Sequence, residues 1–210
     1  MEESFDNLIA DGKFLPVMEE FYSLQGEGYN TGQAAFFIRI GGCDVGCKWC
    51  DVKESWNSRA FPPVPTDLII QHALLCPAKS VVVTGGEPLL YNLNYFCRGL
   101  HQHKIKIFLE TSGSQGFSGE WDWICLSPKK ESPPLPEVAA QANELKIIIE
   151  NISDFHWAEE NSKMVSVDCK RYLQPEWSKR NTIMPEIIHY IMENPRWKIS
   201  LQSHKYMRIP

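Results

Sequence analysis

Long apolar runs and clusters of basic residues are both missing from this sequence. No apolar stretch approaches the roughly 20 residues that a helix needs to cross a bilayer, so we expect no membrane partner. Lys and Arg number 21 against 26 Asp and Glu, which gives a net charge of −5. Because non-specific binding to nucleic acid requires clustered Lys and Arg, we also expect no nucleic-acid partner.

An export signal is also missing, and the cysteine count is odd. The sequence opens Met1-Glu2-Glu3-Ser4, without the basic and apolar regions of a signal peptide, and we expect a cytoplasmic protein. Seven cysteines without an export signal argue against a disulfide framework. Free cysteine packs as a small hydrophobe, and we predict core packing for the four that stand singly among apolar neighbours: Cys76, Cys97, Cys125 and Cys169.

What is present is the composition of one globular domain. At 210 residues, 43% of them hydrophobic, the chain suits a single domain over residues 1–210 and is short for two. β-Branched and aromatic segments bounded by turn residues predict strands at 35–40, 80–84, 104–109, 122–126, 144–149, 164–167 and 197–201.

Apolar residues at helical spacing predict helices between some of these strands. We expect them at 67–75, with Thr66 as N-cap, at about 90–100 and at about 154–161. In a last helix, Pro185 is tolerable only in the first turn. The residues that share the apolar face of that helix are Met184, Ile187, Ile188, Ile191 and Met192.

Strands that alternate with helices predict βα units and a mostly parallel sheet. Polar or glycine-rich clusters follow five of the predicted strands directly, at 41–43, 85–88, 110–113, 127–129 and 202–205. In parallel sheets and barrels, ligands bind beyond the carboxyl ends of the strands. We therefore expect these clusters to surround one mouth.

Cys43, Cys47 and Cys50 have the spacing C-x3-C-x2-C. Thiolates are soft ligands that select zinc, copper(I) or iron–sulfur clusters. A closed zinc site needs four ligands, commonly in two C-x2-C pairs, and the sequence holds no second pair. Three cysteines on one loop suit a cluster with one iron left open, and three structural cysteines are the alternative.

The spacing resembles the signature of the radical S-adenosylmethionine superfamily, in which a [4Fe–4S] cluster binds S-adenosylmethionine through its open iron. Thr84-Gly85-Gly86-Glu87-Pro88 resembles that superfamily's GGEP motif. Glu110-Thr111-Ser112-Gly113 resembles a further cofactor-side motif. Each motif alone is weak, but together with the cysteines they are specific.

The resemblance narrows to the 7-carboxy-7-deazaguanine synthase family. The matching pieces run in the family's order from about residue 21 to the last residue. They are Phe21-Tyr22-Ser23-Leu24-Gln25-Gly26-Glu27-Gly28, Phe36-Phe37-Ile38-Arg39, the cysteine loop, Gly85-Gly86-Glu87-Pro88, Ser127-Pro128-Lys129, Gln174-Pro175 and the ending His204-Lys205-Tyr206-Met207-Arg208-Ile209-Pro210.

This resemblance implies an α/β fold, a shortened partial (β/α) barrel of the radical S-adenosylmethionine type, with a short N-terminal substrate-binding segment. It implies conversion of 6-carboxy-5,6,7,8-tetrahydropterin to 7-carboxy-7-deazaguanine, with ring contraction and loss of ammonia, in queuosine and 7-deazapurine biosynthesis. A reduced partner such as flavodoxin would supply the electron, the cofactor would supply the reacting radical, and the enzyme would be a homodimer.

The resemblance also implies residue roles. The cofactor would contact Gly85, Gly86, Glu87, Glu110, Ser127, Pro128, Lys129, Gln174, Pro175, Glu176 and Trp177. The substrate would contact Leu24, Gln25, Gly26, Glu27, Arg39, Thr84 and Pro210. Arg39 would face the substrate carboxylate, since a guanidinium fork suits bidentate pairing. The carboxylate of Pro210 would accept hydrogen bonds from the pterin.

One position departs from the family's pattern. The family requires magnesium, and a Thr or Ser two residues after the last cysteine normally serves as ligand. Here Asp51 is followed by Val52, whose side chain has no oxygen. Magnesium demands near-octahedral oxygen ligands, so either water or Asp51 fills the position, or this protein depends less on the metal.

Two other interpretations stay open. A small glycyl-radical activase shares C-x3-C-x2-C but would not need the segment Leu24-Gln25-Gly26. A non-catalytic electron-transfer module would need four cysteines per cluster. Perturbation of the brown chromophore by S-adenosylmethionine would exclude the module, and substrate turnover would separate the two enzymes.

Overall fold

A sheet of nine strands runs through the computed structural model, which describes residues 4–210. Residues 1–3, part of the segment considered for a signal peptide, lie outside the described residues. The strands are β1 (Phe14–Leu24), β2 (Ala34–Ile40), β3 (Pro63–Pro65), β4 (Ser80–Gly85), β5 (Lys106–Thr111), β6 (Trp123–Leu126), β7 (Glu144–Ile149), β8 (Lys170–Pro175) and β9 (Trp197–Ile199). Their order across the sheet is β3-β1-β2-β4-β5-β6-β7-β8-β9.

Most of this sheet is parallel. β2 and β4 to β9 pair with their neighbours in parallel register. β1 pairs antiparallel with both β2 and β3 and carries a register shift between Val17 and Glu19. The carboxyl ends of seven strands therefore point to one edge, as the alternating pattern predicts, whereas β1 runs in the opposite direction to β2.

Seven α-helices connect or flank these strands within the described residues. They are α1 (Phe5–Ile9), α2 (Thr66–Leu75), α3 (Asn94–Gln102), α4 (Pro136–Ala139), α5 (Asp154–Ser162), α6 (Arg180–Glu193) and α7 (Ser203–Met207). Short 3-10 helices lie at Lys53–Trp56, Ser58–Ala60, Pro88–Leu90 and Trp177–Lys179. Over residues 4–210, none of the helices combines the length and apolar character needed to cross a membrane.

Two hydrophobic clusters lie between the sheet and its helices. One packs β2, β4 and β5 against α2 and α3, with Ile38, Phe96 and Leu100 fully buried. The other packs β6 to β9 against α4, α5 and α6 around Trp197. Each large apolar side chain buried in this way contributes roughly 1.5–3 kcal/mol.

The prediction of core packing for the four single cysteines is supported by their surroundings. Cys97 and Cys169 are buried within the two clusters, and Cys76 packs against one of them. Cys125 is buried on β6. None of the four lines the large cavity described below.

The strand predicted at 164–167 is wrong. These residues form the connection between α5 and β8, and Val167 is 86% exposed. The strand in this region is β8, whose polar Lys170, Arg171 and Gln174 conceal its pattern. β1 was not predicted either, because Glu19 and Glu20 interrupt its apolar residues.

Two helix starts also differ from the prediction. Thr66 is the first residue of α2 and not its N-cap, and its hydroxyl donates to the carbonyl of Gly12. α6 begins at Arg180, so Pro185 lies in its second turn. Ile183 and Ile187 form the buried face of α6, whereas Ile188 is about half exposed.

Candidate active site

A cavity of about 700 Å³ opens at the carboxyl-terminal edge of the parallel strands. Every residue proposed above for the cluster, the cofactor or the substrate lines it, with the exception of Pro128, which is buried beside it. The cavity wall also includes residues that the motifs did not single out: Trp56, Lys146, Ile148 and Ser178. The strand-end clusters therefore meet at one mouth, as the sequence predicts.

The cysteine loop forms one wall of this cavity. Its start is fixed by two backbone hydrogen bonds, from Gly42 N–H to the carbonyl of Ser55 (2.6 Å) and from Cys43 N–H to the carbonyl of Trp56 (3.2 Å). Burial raises the pKa of Cys47 to about 11, although Lys129 beside it acts in the opposite direction. A cationic metal centre would reverse this and favour the thiolate.

The donor set fits an iron–sulfur cluster. Cys43, Cys47 and Cys50 are free thiols that line the same cavity, and two of them are only partly buried. Within residues 4–210, no three His, Cys, Asp or Glu side chains converge closely enough to hold a single metal ion. The cysteines of a [4Fe–4S] cluster bind different irons, so three soft ligands on one wall of a cavity suit it.

The two glycines after β4 allow that loop to pack on the cysteine loop. Gly85 has a φ of +121°, which glycine adopts without strain. A Cβ on Gly86 would lie 2.0 Å from the carbonyl oxygen of Gly42. Glu87 N–H donates to that same carbonyl at 2.8 Å. Any side chain at residue 86 would therefore separate the two loops.

The carboxylate of Glu87 joins the loop after β4 to the loop after β5. It is buried and accepts from Thr111 Oγ1 (2.5 Å), Ser112 N–H (2.8 Å) and Ser112 Oγ (2.5 Å). It also accepts from Leu89 N–H at 3.1 Å. These bonds occupy both oxygens, so the part of Glu87 left for a ligand is its backbone.

The N-terminal segment Leu24-Gln25-Gly26-Glu27 forms the opposite wall and is held at several points. Gln25 Nε2 donates to Glu110 Oε1 (2.9 Å), and Thr84 Oγ1 donates to Glu110 Oε2 (3.1 Å). The carbonyl of Gly26 accepts from both the N–H and the hydroxyl of Ser203. The segment is thus fixed to Glu110 at the end of β5 and to Ser203, the first residue of α7.

Glu27 completes this wall through a buried ion pair with Lys146. Lys146 Nζ donates to Glu27 Oε2 at 2.5 Å, although the two residues are 119 positions apart. Burial alone would raise the pKa of Glu27, but the ammonium of Lys146 offsets this and lowers it to about 2. The motifs do not identify Lys146, and its only signal is a lysine among the apolar residues of 145–149 in β7.

Charged and polar groups from β6 and β8 line the remaining wall. Lys129 Nζ donates to the carbonyl (2.5 Å) and hydroxyl (2.7 Å) oxygens of Ser127. Gln174 Oε1 accepts from Ser200 Oγ at 2.6 Å. Glu176 caps the 3-10 helix that follows, because its carboxylate accepts the N–H groups of Ser178 and Lys179. The next residue, Trp177, lines the cavity, and two cations, Arg180 and Lys205, lie 4.1 and 5.0 Å from the centre of its ring.

Arg39 and Pro210 lie on the same side of the cavity as β1. Arg39 Nε donates to Glu19 Oε1 at 2.6 Å, and its guanidinium lies 5.6 Å from the ring of Phe21. Ser23 Oγ donates to the oxygen of Pro210 at 3.1 Å. Both residues line the cavity.

The residues around Asp51 do not fit a magnesium site. Asp51 Oδ2 accepts from Lys205 Nζ at 2.8 Å, so a cation already neutralises this carboxylate. Val52 offers its carbonyl oxygen, which accepts from Ser55 Oγ at 2.7 Å. Octahedral magnesium needs oxygen ligands around one point, and the described residues near Cys50 do not supply them.

Comparison with known proteins gives consistent results. The model of the Radical SAM superfamily matches residues 37–124. A 7-carboxy-7-deazaguanine synthase from Flavobacterium psychrophilum is 52% identical over 202 residues, which cover 96% of each chain. One from Synechocystis is 43% identical over 92% of this chain and 93% of its own.

A solved structure is also similar. It is described as the crystal structure of QueE from Escherichia coli and superposes with a TM-score of 0.82 at 27% sequence identity. The match covers 97% of this chain and all of the other. Together with the parallel sheet, this confirms the predicted α/β fold with a shortened partial (β/α) barrel.

Proposed function

Because the chain belongs to the 7-carboxy-7-deazaguanine synthase family of radical S-adenosylmethionine enzymes, we propose that it converts 6-carboxy-5,6,7,8-tetrahydropterin to 7-carboxy-7-deazaguanine with loss of ammonia. The product would serve queuosine and 7-deazapurine biosynthesis. The observation that carries the proposal is the single cavity that brings the cysteine loop, the loop after β4 and the segment Leu24-Gln25-Gly26-Glu27 face to face. The chain would act as one core domain over residues 1–210, with that segment as its substrate-binding part.

Cys43, Cys47 and Cys50 would hold a [4Fe–4S] cluster, and S-adenosylmethionine would bind beside it. When bound, the pair supplies the organic radical that takes hydrogen from the substrate, and no side chain of this protein replaces that chemistry. The protein positions the two reactants and excludes water. The hydrogen bonds of Glu87 support this role, because its carboxylate joins the loops after β4 and β5 and its N–H donates to Gly42, next to Cys43.

The cofactor would lie against the walls formed by β4, β6 and β8. Its proposed contacts are Gly85, Gly86, Glu87, Glu110, Ser127, Pro128, Lys129, Gln174, Pro175, Glu176 and Trp177. Their place around the cavity supports this assignment, although Pro128 itself does not line it. The carboxylates of Glu87 and Glu176 are engaged within the protein, so these two residues would contribute backbone atoms.

The substrate would lie between the N-terminal segment and β2. Arg39 would bind its carboxylate, and Thr84, Leu24, Gln25, Gly26 and Glu27 would surround the ring. Pro210 would accept hydrogen bonds from the pterin through its carboxyl group. The hydrogen bond that fixes Pro210 to Ser23 supports this position, since it keeps the last residue of the sequence beside β1.

Three further parts of the proposal concern the surroundings of the enzyme. A reduced protein such as flavodoxin would deliver the electron, and the expected cytoplasmic location stays a prediction. The chain would form a homodimer. The exposed side of α6 supports association, because Met184, Ile188 and Met192 place apolar surface there and Met192 is 77% exposed.

Anaerobic reconstitution with iron and sulfide tests the proposed function directly. We expect a brown protein whose spectrum changes when S-adenosylmethionine is added, and which forms 5′-deoxyadenosine and 7-carboxy-7-deazaguanine from carboxytetrahydropterin. Assays with dithionite and with reduced flavodoxin compare the electron sources. A spectrum that S-adenosylmethionine leaves unchanged would favour the electron-transfer module. Perturbation without pterin turnover would favour an activase.

The magnesium requirement should be weaker than in relatives with Thr or Ser at position 52. We expect the activity of the unaltered protein to change little when magnesium is removed with a chelator, because Lys205 already neutralises Asp51. Val52→Thr restores a side-chain oxygen and should increase the response to added magnesium. Initial rates across a magnesium titration decide the point, and complete loss of activity of the unaltered protein upon chelation would contradict it.

A further inference from the structure

Lys146 lies in β7 but faces away from the core. Side chains of a strand alternate between its two faces. Leu145 and Ile147 are fully buried in the hydrophobic cluster, whereas Lys146 and Ile148 line the cavity. An ammonium in such a position is strongly unfavourable unless it is paired. Packing alone therefore does not account for a lysine here.

The partner of Lys146 belongs to the N-terminal wall of the cavity. Lys146 Nζ donates to Glu27 Oε2 at 2.5 Å. Burial disfavours the charge of Lys146, but the nearby carboxylates of Glu27 and Glu110 keep its pKa raised. The ammonium of Lys146 and the carboxylate of Glu27 are therefore both charged in this ion pair.

Glu27 differs from the two other carboxylates in this region. Glu110 uses both of its oxygens, for Gln25 and Thr84. Glu144 is not among the residues that line the cavity, and its Oε2 accepts from the N–H of Tyr29 and from the indole of Trp123. Glu27 lines the cavity and accepts from Lys146 Nζ through Oε2, and the side chain of Gln174, which also acts to lower the pKa of Glu27, lies beside its carboxylate.

We propose that Lys146 is a positioning residue for the substrate, which holds the ionised Glu27 carboxylate toward the cavity so that it accepts an N–H hydrogen bond from the pterin ring. This inference rests on the proposed function. A reduced pterin carries several N–H donors, and a hydrogen bond to a carboxylate is roughly twice as strong as one to a neutral acceptor. Lys146 therefore acts on substrate binding through Glu27, and the radical step does not involve it.

Kinetics of Lys146→Met in the reconstituted holoenzyme test this role. Methionine keeps the length of the side chain and removes its charge. The Glu27 carboxylate then loses its partner and takes up a proton or turns away. We expect the KM for carboxytetrahydropterin to rise about 10- to 100-fold, as for loss of a hydrogen bond to a charged group, with kcat, iron content and the Kd of S-adenosylmethionine nearly unchanged. Lys198→Met, an exposed lysine on β9, is the matched control and should behave as the unaltered protein.

A double-mutant cycle shows whether Lys146 affects substrate binding through Glu27 or independently of it. Glu27→Gln alone should raise the pterin KM, and adding Lys146→Met should raise it no further. The double variant also guards against misfolding, because removal of both charges leaves no unpaired ion, whereas removal of one does. If Lys146→Met does not fold, the comparison of Glu27→Gln with the double variant still decides.

Three outcomes would overturn the inference. If the unaltered protein turns over the pterin and Lys146→Met has an unchanged KM, the inference about Lys146 is overturned, whereas the proposed function is not. Multiplying effects in the double variant would mean that Lys146 does not act through Glu27. An unaltered holoenzyme that neither turns over carboxytetrahydropterin nor binds 6-carboxypterin in calorimetry would overturn the proposed function, and this inference with it.

Discussion

Cys47→Ala should give a colourless protein without activity. Cys47 is buried in the wall of the cavity, and Cys43 and Cys50 flank it on the same loop. With three cysteines as its only protein ligands, a cluster that loses one has two irons without a protein ligand and is not retained. Absorbance near the iron–sulfur charge-transfer bands, iron content and 5′-deoxyadenosine formation measure the result, and Cys43→Ala and Cys50→Ala should give the same one.

Cys97→Ala is the matched control for this loss. Cys97 is buried in the cluster of α2, α3 and the sheet and does not line the cavity. The variant should keep full iron content and activity and lose roughly 0.5–3 kcal/mol of stability, the usual range for a substitution in the core. Retention of the chromophore in Cys47→Ala would refute the cluster assignment. Loss of the chromophore in Cys97→Ala would show that absorbance depends on correct folding and does not identify the cluster ligands.

The parts of the site that depend on local sequence could be predicted. The cysteine spacing and the glycines after β4 are local features of the sequence. In the structure, both belong to loops that pack on each other in the wall of the cavity. Gly86 allows the backbone of its loop to approach the carbonyl of Gly42. Strand ends could be located because apolar runs stop at polar clusters, and parallel register then brings those clusters to one edge.

The parts that depend on pairing between distant residues could not be predicted. Lys146 becomes part of the site only through Glu27, and no local pattern joins β7 to the segment that follows β1. β1 itself is concealed because one of its charged residues, Glu19, pairs with Arg39 on the neighbouring strand. Glu87 shows that a motif does not tell which atoms of a residue contact a ligand. Its motif predicts a contact with the cofactor, whereas its carboxylate accepts hydrogen bonds from Thr111 and Ser112.

Arg39→Met should cause a large loss of pterin turnover. Arg39 Nε is engaged by Glu19, which orients the guanidinium, and the ring of Phe21 lies beneath it. This arrangement leaves the two terminal nitrogens for a carboxylate of the substrate, which they can bind as a fork. Truncating one partner of such a pair costs about 2–5 kcal/mol, or a fall in kcat/KM of roughly 30- to 4,000-fold.

Two further variants distinguish substrate binding from a surface ion pair. Arg39→Lys can keep the pairing with Glu19 but loses the fork, so it should stay strongly impaired. Glu19→Gln keeps the fork and removes the ion pair. Since Glu19 is partly exposed, this change should cost about 0.2–1 kcal/mol, which is less than about sixfold in kcat/KM. Arg59→Met, which removes an exposed arginine paired with Asp6, should have no effect. If Arg39→Lys were fully active, the pairing with Glu19 would be the whole role of Arg39, and another group would have to bind the substrate carboxylate.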